Sequence, residues 1–549
     1  MRGALFCAME LRRAAVSGAT WPARLAGAVR SAFALGAVAV AAACGGGDQQ
    51  TIMMPPPTPP PVIVTPSVAG GMVTFPYSQT IQANSGAAPY TWSVSSGKLP
   101  QNLSLTNAFG ESIDISGTPQ TAETQTFTLQ VKDTAGMTAS KAFTIEVKSL
   151  TPVQVQEVAG AAPFDMIEIQ GLAAGAFNPS DWLQHRLNWV PDVRVPMLAP
   201  QPTGAFQNIY APWALEQQGG WRLFYGGWDG TDTGNDRIWS GTTADFLSFA
   251  GRHLVIDHGS LNHVNNANIH QLPDGTLHML FGFQAIPNGL DQIAYTSSPD
   301  GTSWNGTPEP YTAQISDAVT VQGDPTFAGS DFNGGNVLFR ESASWTMYYS
   351  GGQFGKKKGN VYRATSTSLP AFTATGTALG SINYANDVKK FLVQGQNWYV
   401  MALYYEPVVF GEPPASFVYS LSRDGVTFSG ELGLFGGAGA ADKFVTTPSF
   451  VTQNGRILGV LYGGDAVDWL DPDYSIFARW LQKKVVIEVL SGASGPPSGA
   501  YGPDRQWFYA PAGGSLQGTM TVFAEDGITP LATGPVSLSA GKSYQFVAP

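Results

Sequence analysis

At 549 residues the chain is too long for one compact domain, and its 43% hydrophobic and 11% aromatic content is enough to build real cores. Only 13% of residues are charged, against 64 glycines and 39 prolines, a balance that suits an extracellular all-β protein better than a helical one. The net charge of −11 disfavours nucleic acid and anionic membrane surfaces as partners and does not oppose neutral sugars.

The first element is a processing signal. Arg2, Arg12, Arg13, Arg24 and Arg30 precede an apolar run from Ser31 to Ala43 that is too short to span a bilayer. The run ends in Ala41-Ala42-Ala43-Cys44-Gly45, which resembles the bacterial lipobox, although Ala41 stands where that motif usually has Leu. The resemblance implies a signal peptide over 1–43, lipidation of Cys44, and anchoring in the bacterial cell envelope at the outer membrane or cell surface. An ordinary Ala-x-Ala cleavage site with Cys44 incidental is the alternative. Residues 1–43 carry +4, so their removal leaves −15, and it leaves Cys44 as the only thiol. Lipidation would account for a cysteine that has no partner. Residues 44–64 then read as a tether, flexible glycine followed by a stiff polyproline spacer.

Over 65–149 apolar and polar residues alternate in short runs, such as Tyr90-Thr91-Trp92-Ser93-Val94 and Phe127-Thr128-Leu129-Gln130-Val131, the pattern of half-buried strands. A segment of this length makes one β-sandwich. Pro89-Tyr90-Thr91-Trp92, Gly97-Lys98-Leu99-Pro100-Gln101-Asn102-Leu103, Ile115-Ser116-Gly117-Thr118-Pro119 and Lys132-Asp133-Thr134-Ala135-Gly136 resemble the bacterial putative-Ig family, which implies a cadherin-like fold. Cadherin-like relatives bind calcium through clustered acids. Here Glu111, Asp114, Glu123 and Asp133 are scattered, so calcium has little support and a spacer role is expected.

The largest part, 160–485, repeats one pattern five times. An apolar strand rich in aromatics recurs with Phe224, Leu280, Tyr348, Met401 and Leu461 as equivalents, spaced by 56, 68, 53 and 60 residues, and a second strand follows each. An all-strand repeat of that length predicts the blades of a five-bladed β-propeller. Trp221, Trp345 and Trp398 share one aligned place and are expected to pack between blades. The propeller resembles the glycosidase clan of arabinanases, levansucrases and invertases, which implies a carbohydrate ligand. Residues 486–549 read as a small C-terminal β appendage. The expected fold class is therefore all-β: sandwich, propeller, appendage.

In a meander counted from the innermost strand, the starts of the inner strands and the loops after the second strands share one end of the funnel. Ungapped alignment places Tyr210, Asn266, Gly334, Asp387 and Thr446 at equivalent points there, with Pro212, Asn268, Asn336, Lys389 and Pro448 two residues on. The loops add Trp228, Asp229 and Asp232, Gln284 onward, Gln353 to Lys358, Glu406 onward, and Asp465 to Trp469. Amides and carboxylates suit hydroxyls, and aromatic faces suit the C–H side of a sugar ring. The expected ligand residues are Tyr210, Trp228, Asp229, Asn266, Asn268, Asn336 and Lys389.

Hydrolysis needs two carboxyls across the glycosidic bond. The clan places acids on the inner strands of blades one and two, where this chain has Gln207 to Pro212 and Val264 to Asn268, with none. The remaining candidates are Asp324, in a Gly-Asp-Pro-Thr run, and Asp387, with Glu341 and Glu406 behind them. Asp324 also fits a turn before proline, and Asp387 fits a partner for Lys389 or Lys390. Five of six histidines fall between His253 and His278, but their spacing matches no metal-ligand motif, so no metal or other cofactor is expected. Three readings stay open: a monomeric, lipid-anchored glycan binder, which the missing acids favour; a glycoside hydrolase with rearranged carboxylates; and an adhesion or protein-interaction scaffold.

Overall fold

The computed structural model describes residues 59–549 apart from 163–164, 202–207, 231–234, 288, 324–331, 353–358, 406–415, 438, 440, 467–473, 490–496, 511–513 and 548–549. Cys44, Asp324, Asp232, Lys356 to Lys358, Glu406 and Trp469 lie outside the described residues. The chain divides into two compact units, Met1–Ser149 and Leu150–Pro549.

In the first unit the period-2 runs become two four-stranded sheets. One carries Val62–Ile63, Tyr77–Asn84, Ser112–Gly117 and Leu103–Thr106; the other carries Gly71–Met72, Thr138–Lys148, Glu123–Lys132 and Thr91–Gly97. Alternation puts Ile81, Trp92, Ile113, Phe127, Leu129 and Ile145 into one core between the sheets, while their neighbours face water. The Asp133 carboxylate accepts from the backbone N–H groups of Ala87 (3.0 Å) and Met137 (2.8 Å), so it closes a turn. Asp114 accepts from Thr80 (2.6 Å) and Glu123 from the Gln101 N–H (2.6 Å).

The second unit holds five antiparallel blades around one axis. Their inner strands are Asn208–Gln217, His263–Gln271, Phe332–Glu341, Tyr384–Val393 and Phe444–Gln453. Each is followed by the aromatic-rich second strand that the repeat predicted, beginning with Gly220–Trp228 and ending with Arg456–Asp465, and by a third. Blades one, three and four add an outer strand in sequence. In blade two that position is irregular, with Ala318 bridging Ala294. Blade five is completed by Trp189–Pro191, which precedes blade one and pairs with Ser475–Leu481. The last sheet is thus closed by the start of the ring.

Large side chains fill the clefts between neighbouring sheets. Phe224, Phe281 and Trp304 pack between blades one and two, and Trp221, Tyr225 and Trp480 between blades five and one. Each fully buried ring contributes about 1.5–3 kcal/mol relative to exposure. Trp221 and Trp345 are buried as expected of packing residues, and Trp398 is half-buried under the Arg423 guanidinium.

Strand pairing moves the domain limits read from sequence. Val155–Ala161 and Ile167–Gln170 do not belong to the ring: they pair with Lys542–Phe546 and Arg505–Phe508. Thr151–Pro152 likewise joins Pro530–Ser539, whose sheet also takes Lys484–Val489. The appendage is therefore a two-sheet sandwich made from both ends of the unit, around Ile167, Ile169, Met520, Val522 and Leu538. It is fastened to the ring through buried Gln482, whose amide donates to the carbonyls of Gly502 (3.0 Å) and Arg505 (3.2 Å).

Candidate functional site

The inner strands share one irregularity. In every blade the ladder slips by one residue, at Tyr210/Trp213, Asn265/Asn268, Gly334/Val337, Ala385/Asp387 and Thr446/Ser449. The extra residue of blades one, two, three and five sits in the left-handed region at Ala211 (φ 49°), Asn266 (51°), Gly335 (59°) and Thr447 (50°). Such a bulge bends the strand and re-aims the side chains beside it. It also corrects the ungapped alignment: the residues equivalent to Tyr210 are Asn265, Gly334, Ala385 and Thr446, not Asn266 or Asp387.

Register brings Tyr210 next to Asn265. The Asn265 amide donates to the Tyr210 hydroxyl (3.0 Å), which donates in turn to the Asp236 carboxylate (2.6 Å). Asp236 stands immediately before the third strand of blade one and is 5% exposed. Burial lifts its carboxyl above the ordinary carboxylate range; the charge of His263 and hydrogen bonds from Tyr210 and Asn208 pull it back without cancelling that. Burial would depress His263, but the Asp291 carboxylate at 3.7 Å and the charge of Asp236 leave the imidazole raised. His263, Asn265 and Tyr210 are half-buried, and the Asp291 side chain is 49% exposed, so the cluster grades from a buried acid to an open lip.

Trp228, half-buried, sits opposite Asn208 at the same end of blade one. Asn266, Asn268 and Asn336 stand on the inner strands of blades two and three. Asn336 donates to the Asn266 carbonyl (3.2 Å) and Asn268 accepts from the Leu338 N–H (2.9 Å), stitching one blade to the next. The Asn266 Oδ1, Asn268 Nδ2 and Asn336 Oδ1 atoms are buried and have no hydrogen-bond partner among the described residues.

Three expected site residues are placed otherwise. Asp229 is 2% exposed and locked: Arg252 donates to both its oxygens (2.9 and 3.0 Å) and the Tyr225 hydroxyl donates at 2.8 Å. Asp387 is wholly enclosed, accepts from the Phe450 N–H of blade five (2.8 Å), and pairs with Lys389 at 3.1 Å. Burial raises its pKa, the Lys389 charge opposing. It fastens blade four to blade five and faces no open space, so a catalytic role at the inlet does not fit it. Lys389 reaches away from the inlet and lays its ammonium over the Trp213 ring, 3.8 Å from the centroid. Asp236, His263, Asn265 and Asp291 were missed in the sequence. A bulge-aware alignment would have recovered Asn265.

The histidines serve different ends. His270 and His278 pack on Trp345, and His253 contacts Glu309 at 2.8 Å. Among the described residues, no group of three or more His, Cys, Asp or Glu side chains is placed to hold a metal ion.

Comparison with known proteins bears first on the smaller unit, where residues 60–148 match the family described as "Putative Ig domain". That segment is an Ig-like domain. No curated protein matches the chain. Among solved structures, one described as a glycoside hydrolase is 14% identical with a TM-score of 0.40, over 55% of this chain and 95% of that one. A family 117 glycoside hydrolase from Zobellia galactanivorans is 12% identical with a TM-score of 0.37 over 52% and 89%. A thermostable family-43 glycoside hydrolase is 11% identical with a TM-score of 0.37 over 54% and 95%. The blade assignment itself rests on the strand pairing of this chain.

Proposed function

We propose that the propeller binds a neutral glycan at the inlet of blades one to three, in an exported protein held in the bacterial cell envelope through Cys44. The observation that carries the ligand class is the concentration of unspent hydrogen-bonding capacity at one end of the ring. Among the described residues, three buried amide atoms of Asn266, Asn268 and Asn336 lack partners beside the Asn265–Tyr210–Asp236 chain. Leaving a buried polar atom unpaired costs about 1–3 kcal/mol, and a polyhydroxylated ligand offers donors and acceptors in pairs. Trp228 adds an aromatic at the same end, suited to the apolar face of a sugar. Calorimetric titration with a panel of neutral oligosaccharides tests this. Binding that falls at least tenfold in Tyr210→Phe/Asn265→Ala is expected, and a folded wild type that binds none of the panel would overturn it.

One observation favours a second reading, glycoside hydrolysis. Asp236 is a buried carboxyl with a raised pKa, the state a proton donor to a leaving oxygen needs, and the Asp291 carboxylate lies across His263 from it. In that case wild type would release reducing sugar from the bound glycan, and Asp236→Asn would stop release while keeping affinity. Binding without release leaves the first reading standing alone.

A further inference from the structure

The two ends of the Ig-like module are chemically unlike. Strands Tyr77–Asn84 and Glu123–Lys132 run toward one end, where the loops 85–90, 107–111 and 133–137 gather. Thr134 donates its N–H to the Ala87 carbonyl (2.9 Å), Gly110 to that of Tyr90 (3.1 Å) and Trp92 to that of Ala108 (3.1 Å), so the three loops form one stitched tip. Asp133 is buried and spent on the N–H groups of Ala87 and Met137, which leaves Glu111 and Lys132 as the exposed charges here, one of each sign. What the tip shows to solvent is mainly apolar. Phe109 is 76% exposed and Met137 47%, on loops that also expose Ala88, Pro89 and Ala135. Scattered exposed apolar residues need no explanation, but a gathering of them on one end does. The opposite end is polar, with Lys98, Gln101, Asn102, Gln120 and Thr121 in the open.

The course of the chain says what the tip faces. Val62–Ile63 pairs with Asn84 and Ala83, and Pro61 lies so close to the tip that a Cβ on Gly86 would meet its nitrogen at 2.9 Å. The chain therefore enters the module at the apolar tip, and its last strand, Thr138–Lys148, carries it out at the polar end. Cys44 precedes Pro61 by 17 residues, at most about 60 Å of extended chain. With an acyl group on Cys44 held in a bilayer, contact between tip and bilayer becomes intramolecular. A weak apolar affinity then acts at an effective concentration on the order of millimolar. Apolar side chains with offset charges suit the boundary between headgroups and acyl chains.

We propose that this tip is a membrane-contact surface, with Phe109 and Met137 dipping into the bilayer that holds the chain, an inference that rests on the Cys44 anchor proposed above. The contact is apolar, so it needs no anionic lipid and should persist at high salt.

The test uses the full lipidated chain in vesicles of neutral phosphatidylcholine, with an environment-sensitive nitrobenzoxadiazole label on Met137→Cys. Lipids with a nitroxide on the acyl chain should quench that label about twofold, and should leave the same label on Gln120→Cys, at the polar end, unquenched. Phe109→Asp added to Met137→Cys should remove most of the quenching with an unchanged thermal melt, since Phe109 lies outside the core. Three results would each overturn the proposal: equal quenching at positions 137 and 120, quenching untouched by Phe109→Asp, or a label shielded as strongly in the Cys44→Ala chain without vesicles, as a second copy on the tip would cause. Mature wild type offers no thiol when Cys44 is acylated. Uptake of label by wild type would therefore remove the anchor and the proposal with it, whereas an anchored chain with an unquenched label removes the proposal alone.

Discussion

Asp387 gives the sharpest division between a residue that holds the ring and one that serves the inlet. Its carboxylate accepts the Phe450 N–H and balances Lys389 in a site with no exposure. Asp387→Ala strands a buried N–H donor and leaves an ammonium without its counter-ion. Breaking a buried pair from one side costs about 3–5 kcal/mol. Lys389 keeps the Trp213 face and 15% of its side-chain exposure, so the lower end, about 3 kcal/mol, is expected. Asp387→Asn keeps an acceptor for the Phe450 N–H but also removes the negative charge beside Lys389, so it should cost about 2 kcal/mol, less than the alanine variant. Urea unfolding followed by tryptophan fluorescence reads both, with glycan titration on the same preparations. Both variants should unfold earlier than wild type, Asp387→Ala the more so, with wild-type glycan affinity in each. That expectation is refuted if Asp387→Ala unfolds at the wild-type midpoint, or if Asp387→Asn loses the glycan without losing stability.

The remaining predictions are simpler. The raised His263 pKa stabilises the fold fully below the unfolded value near 6.5 and is lost as pH rises through the folded value, so the unfolding free energy should decline above pH 6.5 in wild type and less in His263→Gln, measured by urea melts across that range. Trp228→Ala should weaken glycan binding by about 1–3 kcal/mol, the scale of a central aromatic anchor, with an unchanged melt. Cys44→Ala should move the protein from the membrane to the soluble fraction; unchanged partitioning would remove the anchor. Residues 60–148 expressed alone should give a cooperative β-rich melt by circular dichroism, since their core is self-contained.

Much of the architecture was legible because it is written in periodicity. Alternation announced the sandwich, and the recurrence from Phe224 to Leu461 announced five blades whose second strands pair as expected. What stayed hidden is non-local. Trp189–Pro191 is three residues long and meets its partner about 290 positions later, and Val155–Ala161 finds Lys542–Phe546 across nearly the whole unit. Neither carries a local mark of its destination. At the inlet, residue types were read well and positions less so. An ungapped alignment cannot see a bulge, so Asn266 took the place of Asn265. Nor does sequence reveal whether a carboxylate is spent: Asp229 and Asp387 look like ligands on paper and are consumed by Arg252 and by the Phe450 N–H. Asp236 attracted no notice because its neighbours in space, Tyr210 and His263, come from different strands.

The way blade five is closed bears on how the chain reaches its native state. Its outermost strand, Trp189–Pro191, is synthesised first and can pair only once Ser475–Leu481 exists. The appendage repeats that dependence, since Val155–Ala161 waits for Lys542–Phe546. A growing chain therefore cannot finish blade five or the appendage from its leading end, and the cost of closing so long a loop is met only when the trailing end arrives. Blade five and the appendage should remain open until synthesis is nearly complete. On the proposed export route, that is a condition in which a secretion channel can still thread the chain across a membrane as an extended strand. Shortening the trailing end by even its final strand, Lys542–Phe546, should leave the leading segment without a partner and the protein exposed to proteases, although every blade residue would still be present.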